Sequence, residues 1–269
     1  MASPGVLVKP AVRGLALLYL TFLLVIPVGL IFWRTFENGL APVIDGLTTQ
    51  ATIHAFQLTA VIAFWAVLAN TVFGVVAALL LVRYDFRGKR VLNALIDLPL
   101  AVSPVIVGLS LILVYGRTTG IGQALAGIGI NIIFSIPGMV MATIFVSIPL
   151  VVRAVAPVLE EIGDDQEQAA RTLGAGPVQT FRRITLPSIR GALAYGVVLA
   201  AARSLGEYGA VAVVSGRLVG RTQTVTLLVQ ERYLNFDQET AYACALLLVV
   251  TAVLALGVSR LLAPKEIKR

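Results

Sequence analysis

Gln168-Ala169-Ala170-Arg171-Thr172-Leu173-Gly174, followed ten residues after the glycine by Ile184-Thr185-Leu186-Pro187, is a polar island in a chain otherwise built for lipid. Residues 157–190 around it carry their own helix signals. Asp164-Asp165 supplies an N-cap and acidic residues at the positive end of a helix. Gln166 to Leu173 are largely good helix formers, and Gly174 and Gly176 supply a C-terminal stop. Pro177 suits the first turn of a second short helix running to about Ile184, and Pro187 marks a boundary before the next apolar run. The expectation is helix, glycine turn, helix. Connections between elements are commonly about 4–6 residues long. A longer connection with its own caps is a surface for touching another protein, and Ala169 and Ala170 let a partner approach closely.

The rest of the chain is membrane-like. Its 269 residues are 58% hydrophobic and 13% charged, with a mean hydropathy of +0.92, against roughly 45–50% apolar and about 25% charged for soluble domains. Six apolar runs, near 14–34, 55–82, 92–115, 133–156, 191–214 and 241–262, have the length a helix needs to cross the ~30 Å apolar core. The first shows no small-residue cleavage pattern and reads as a retained helix. The glycine-rich segment 115–133 suggests a short helix at the membrane surface. One cysteine, Cys244, excludes a disulfide framework, and the lone His54 at a span edge reads as structural.

Charge sets the orientation. Of 21 Lys and Arg, 15 fall on one side, among them Arg83, Arg87, Lys89, Arg90, Arg153 and both terminal clusters. Five fall on the other, Arg34, Arg117, Arg217, Arg221 and Arg232, and Arg203 lies inside a span. The positive-inside rule places both termini and the 157–190 loop in the cytoplasm. The net charge of +7 is therefore topology-setting charge with anionic-lipid contact, not a nucleic-acid patch.

The island resembles the E-A-A-x3-G-x9-I-x-L-P signature of permease subunits of bacterial ABC importers. Ala169, Ala170, Gly174, Ile184, Leu186 and Pro187 match it, and Gln168 stands where the family usually has Glu, with Glu167 one residue earlier. The resemblance implies an all-α membrane domain of six spans with the type I importer fold, filling residues 1–269. It also implies that Gln168, Ala169, Ala170, Gly174, Ile184, Leu186 and Pro187 form the loop that meets an ATPase. Within the family, Asp97-Leu98-Pro99-Leu100-Ala101-Val102-Ser103-Pro104-Val105 and Ala202-Arg203-Ser204-Leu205-Gly206-Glu207-Tyr208-Gly209-Ala210 resemble sulfate and molybdate permeases. Val213-Val214-Ser215-Gly216-Arg217, with Arg221-Thr222-Gln223-Thr224, resembles the W-type sulfate/thiosulfate subunit. The implied partners are two ATPase copies, a T-type permease as the other half of a heterodimer, a periplasmic sulfate-binding protein and lipid, in the bacterial inner membrane.

A permease makes no bonds. No G-x-x-x-x-G-K-[ST] loop is present, since Gly88-Lys89 is followed by Arg90; ATP-Mg is expected on the partner ATPase and no cofactor on this chain. Pro99, Ser103 and Pro104 predict a kinked third span, which lines a pathway or serves as a packing kink. Arg203 and Glu207, four apart in the fifth span, can pair. A charge in mid-membrane costs at least ~2.5–3.5 kcal/mol, so the pair is either part of a pathway or gate, or a structural ion pair. Ser103, Ser110, Ser147 and Asn70 could offer polar groups to an anion or glue helices together. Gln223 to Thr226 is an expected contact for a binding protein. Two other readings remain: a molybdate/tungstate ABC permease, which shares the third- and fifth-span motifs, and an ion-gradient-driven secondary transporter, which would show inverted repeats around midplane ligands. A purely structural scaffold leaves the loop unexplained.

Overall fold

The computed structural model describes residues 5–262, and every regular element in that range is helical. Lys265, Lys268 and Arg269 lie outside the described residues, as do the side chains of Lys9 and Arg260. Helices α1 (Gly5–Leu20) and α2 (Ile26–Phe36) join through a π-turn at Thr21–Val25. Pro27 explains the turn: its ring cannot donate to the carbonyl four residues back and crowds it, and one extra residue relieves the clash. Val12–Phe36 makes a 25-residue apolar helix with none of its most apolar stretch buried in the chain. A short α3 (Ala41–Thr48), unforeseen in the 34–55 connection, leads into α4 (Gln50–Arg83), whose N-cap Thr49 accepts the Thr52 N–H.

The predicted third span is broken. α5 (Lys89–Ala101) and α6 (Pro104–Tyr115) meet at 113°, far more than a kink. Val102 is extended, and Ser103, forced out of the helical region by the proline after it, has ψ 133°. The 115–133 segment contains α7 (Gly120–Gly127), started by Thr119 accepting the Gly122 N–H. α8 (Ile136–Ile162) runs through Pro149 and Pro157 and stops at Gly163, φ +68°. The loop therefore begins six residues later than the 157 expected from the sequence.

α9 (Asp165–Thr172) and α10 (Pro177–Thr180) flank the glycine turn. The second expected boundary is absent. A π-turn at Phe181–Thr185 absorbs Pro187, as its counterpart absorbs Pro27, and the helical path continues into α11 (Leu186–Leu205). Pro177–Leu205 is one 29-residue apolar rod. The fifth span then breaks at Gly206–Tyr208 before α12 (Gly209–Val214). α13 (Val225–Leu234), unforeseen, precedes α14 (Gln238–Leu262). Among the described residues, five helices are long and apolar enough to cross a membrane, and the bent pair α5–α6, counted as one span, makes six.

α4, α8 and α11 form the centre. Val75, Ala78, Val151, Val152, Val155, Ile189 and Ala200 make one buried cluster between them. Gly74 and Gly196 let the helices close: a Cβ at Gly74 would sit 2.6 Å from Val151 Cβ, and one at Gly196 would sit 2.9 Å from Ala154 Cβ. In lipid, where hydrophobic exclusion gives no drive between helices, such close van der Waals packing holds a bundle together. A second cluster, with Leu58, Ile62, Met139, Val146, Val211, Val214 and Leu227, seats α12 and α13 on α4 and α8.

Candidate functional site: an exposed loop and two broken helices

The loop between α8 and α11 has two faces. One is open: Gln168, Ala169 and Gly174 are exposed, Ala170 is half-buried, and Leu173 stands 88% exposed at the tip. Asp165 and Glu167 lie in the first turn of α9 and Arg171 in its last, complementing the helix dipole. Asp164 caps by position only, its carboxylate taking the Gln168 side-chain amide at 2.8 Å. The turn closes with Ala175 N–H on Ala170 O at 3.0 Å, and Gly174 adopts φ +84°, which a side chain would strain.

The other face is locked. Glu167 is buried, pairs with Arg83 (Nε to Oε2, 3.1 Å) and accepts the Thr185 hydroxyl on Oε1 at 2.8 Å. Arg83 also donates to Leu159 O and Gly163 O at the end of α8. Arg83 thus does more than orient the chain. Charge counting could not find the link, since 84 residues separate the partners. Ile184 and Leu186 are half-buried and Pro187 exposed. Gln168-to-Gly174 and Ile184-to-Pro187 therefore do not make one patch of equal exposure. The first presents the surface, and the second belongs to the rod behind it.

The breaks in the third and fifth spans come together. A Cβ at Gly209, the first residue of α12, would lie 3.0 Å from Pro104 Cβ, the first residue of α6. Gly108 lies equally close to α12, where a Cβ would meet Ala210 O at 2.7 Å. Ser103 is exposed at this junction, and its side chain makes no cap hydrogen bond. Glu207 sits in the fifth-span break with its side chain 2% exposed. Its Oε1 accepts the Ala210 N–H at 2.9 Å, starting α12, and its Oε2 lies 2.7 Å from Arg203 Nη1. That contact is an ion pair without aligned hydrogen-bond geometry, since Oε2 has no hydrogen-bond partner. The pair spans the end of α11 rather than one continuous helical face. Arg203 is 39% exposed, so the charge that reaches outward is the guanidinium. Thr226 Oγ1 of α13 donates to Glu207 O at 2.9 Å.

The polar candidates have different surroundings. Asn70 and Ser147 are fully buried and hydrogen-bonded to each other at 2.8 Å between α4 and α8, so they are helix glue and face no path. Ser110 returns its hydroxyl to Ile106 O. Gln223 and Thr224 are buried, Gln223 donating its side-chain amide to Glu231 and Val225 N–H bonding Thr59. The exposed stretch in that region is 216–221, with Leu218 and Val219 more than half exposed. Arg153, counted as an orientation charge, pairs with Asp97 and ties α8 to α5.

Residues 70–268 match the family described as binding-protein-dependent transport system inner membrane component. The sulfate transport system permease protein CysW of Synechocystis is 46% identical over 95% of this chain and 92% of its own. The sulfate transport system permease protein CysT of Salmonella typhimurium is 37% identical over 90% of this chain and 88% of its own. A solved bacterial ABC transporter involved in the import of the acidic polysaccharide alginate superposes with a TM-score of 0.76, covering 96% of both chains at 16% identity, a likeness of fold. With most of its length matched in sequence and in fold, this chain belongs to the family of binding-protein-dependent transport system inner membrane components, alongside the sulfate transport system permeases.

Proposed function

We propose that the chain is the W-type permease subunit of an ATP-driven ABC importer that carries sulfate or thiosulfate across the bacterial inner membrane. One observation carries the reading: the chain aligns along nearly its whole length with a sulfate permease of the W type, at higher identity than with one of the T type. The excess of Lys and Arg on one side supports cytoplasmic termini and a cytoplasmic 163–176 loop. On that orientation the open face of α9, with Gln168, Ala169, Ala170, Leu173 and Gly174, meets an ATPase subunit that holds ATP-Mg. A T-type permease supplies the other half of the pathway, two ATPase copies drive the pair, and a periplasmic sulfate-binding protein delivers the anion to the opposite face, where residues 216–221 are exposed. The whole described chain serves as one permease domain.

The paired breaks suit a gate. Short helices that end inside a bundle pivot more readily than continuous spans, and their freed backbone groups are tolerated where they line a cavity. Arg203 offers an outward positive charge to a dianion, while Glu207 beside it offsets that charge so the anion is not trapped. Alternating access then turns on the Ser103-Pro104 and Gly206–Tyr208 breaks moving together against the partner permease.

Uptake of radiolabelled sulfate by a strain lacking the gene tests the proposal, with thiosulfate and molybdate as competitors. Restored uptake blocked by excess thiosulfate supports it. Uptake blocked by molybdate alone moves the substrate to the molybdate/tungstate class. Active transport with no co-purifying ATPase refutes the ABC reading.

A further inference from the structure

We propose that Arg83, Glu167 and Thr185 form the joint through which movement of α9 reaches the fifth span. They are positioning residues, and none touches the transported anion. The inference rests on the ABC-permease reading above.

One carboxylate ties four elements. Glu167 stands on the face of α9 opposite exposed Gln168 and Ala169. Its Oε2 takes Arg83 Nε from the last residue of α4, and its Oε1 takes the hydroxyl of Thr185 from the last residue of the π-turn that opens into α11. Arg83 extends the tie to α8, with Nη1 on Leu159 O at 2.9 Å and Nη2 on Gly163 O at 2.6 Å. All three residues are largely withdrawn from solvent: the Arg83 and Glu167 side chains are 12% and 10% exposed, and Thr185 is 5% exposed.

An open groove of about 330 Å³ lies beside the joint, lined among others by Leu79, Arg83, Tyr84, Glu167, Phe181 and Thr185. Beside this groove, directional charge-assisted hydrogen bonds fix the register of α9 against α4 and the start of α11. The element beyond Thr185 is a rod that ends at Arg203 and the fifth-span break. A push on the open face of α9 thus has a short covalent and hydrogen-bonded route to the Arg203–Glu207 pair. The π-turn is its compliant point, because a widened helical turn lacks the regular bonding of the rod it joins.

The test is the number of anions moved per ATP hydrolysed, measured on the full importer in proteoliposomes with the periplasmic binding protein and radiolabelled sulfate. Thr185→Val keeps shape and removes the hydroxyl; Thr185→Ser keeps the hydroxyl. Arg83→Lys keeps charge but cannot fork over two carbonyls and a carboxylate. The expected result is a fall of about fivefold or more in uptake per ATP for Thr185→Val and Arg83→Lys, a size typical of coupling between sites. Thr185→Ser keeps the wild-type ratio, and the ATPase stays bound in every variant. A wild-type ratio in both Thr185→Val and Arg83→Lys overturns the proposal and leaves the network as a fold staple. Loss of the ATPase from the Thr185→Val complex also overturns it, making the network part of the docking surface. A wild-type complex that neither binds an ATPase nor moves sulfate rejects the underlying reading instead.

Discussion

Removing either partner of the Arg203–Glu207 pair should have unequal consequences, because their burial is unequal. Glu207 is 2% exposed and Arg203 39%. Arg203→Gln strands a carboxylate with one remaining partner, the Ala210 N–H. Leaving a buried charge uncompensated costs about 3–5 kcal/mol. Glu207→Gln is milder. The new amide oxygen still accepts from Ala210, and on the pathway reading above the freed guanidinium faces the water-filled path, so the loss is about 1 kcal/mol, as for exposed pairs. Arg203→Gln/Glu207→Gln should recover at least about 2 kcal/mol over Arg203→Gln alone, the non-additivity expected of residues in contact. Thermal unfolding of the purified complex reads this directly. At roughly 2–4 °C per kcal/mol for a domain of this size, Arg203→Gln should fall by on the order of 10 °C and Glu207→Gln by only a few degrees. Glu207→Gln should still transport poorly, because an uncompensated Arg203 holds the dianion longer. Equal losses in the two single variants, or a double variant equal to their sum, would refute the argument from burial.

Other outcomes follow from single contacts. Gly174→Ala should cost about 1–2 kcal/mol of local strain from its left-handed backbone, with no clash, since no atom lies within 4 Å of its Cβ; ATPase co-purification should fall while the unfolding temperature of the permease drops by only about 2–8 °C. Gly74→Val meets Val151 at a Cβ distance of 2.6 Å, and overpacking of about 1–3 kcal/mol should lower folded yield, measured by size-exclusion chromatography. Pro104→Ala removes the steric reason for extended Ser103; a cysteine probe at 103 should lose accessibility as the break straightens, and uptake should fall with it. Ser147→Ala leaves the Asn70 amide with Ile144 O alone and should lower stability by about 1 kcal/mol without changing the apparent affinity for sulfate in uptake assays.

Much of the architecture was legible because lipid simplifies the code. Hydrophobic length alone placed the first, second, fourth and sixth spans with ends off by six residues at most. Proline was harder to read, since one residue type has different outcomes. Pro104 ends a helix because Ser103 before it turns extended, whereas Pro187 is absorbed by a π-turn and ends nothing. Local sequence does not distinguish these cases. Polar residues within spans were equally ambiguous. Asn70 and Ser147 read either as pathway groups or as helix glue, and their mutual burial decides for glue; Gln223–Thr226 reads as outer surface, yet it leads into α13 with Gln223 to Val225 buried.

By itself, the sequence determined that this is a membrane protein of about six spans, that it carries a capped helix and glycine turn at 165–176, and which family it resembles. Each of these depends on composition, spacing or turn chemistry within about 30 neighbouring residues. Only the tertiary structure decided that Glu167 faces inward to Arg83 while Gln168 faces outward, that the third- and fifth-span breaks abut at Pro104 and Gly209, and that Arg203 is the exposed member of its pair. Those facts depend on which helix faces approach one another across long separations, and that is set by how Gly74, Gly196 and Gly209 let backbones close rather than by any local pattern.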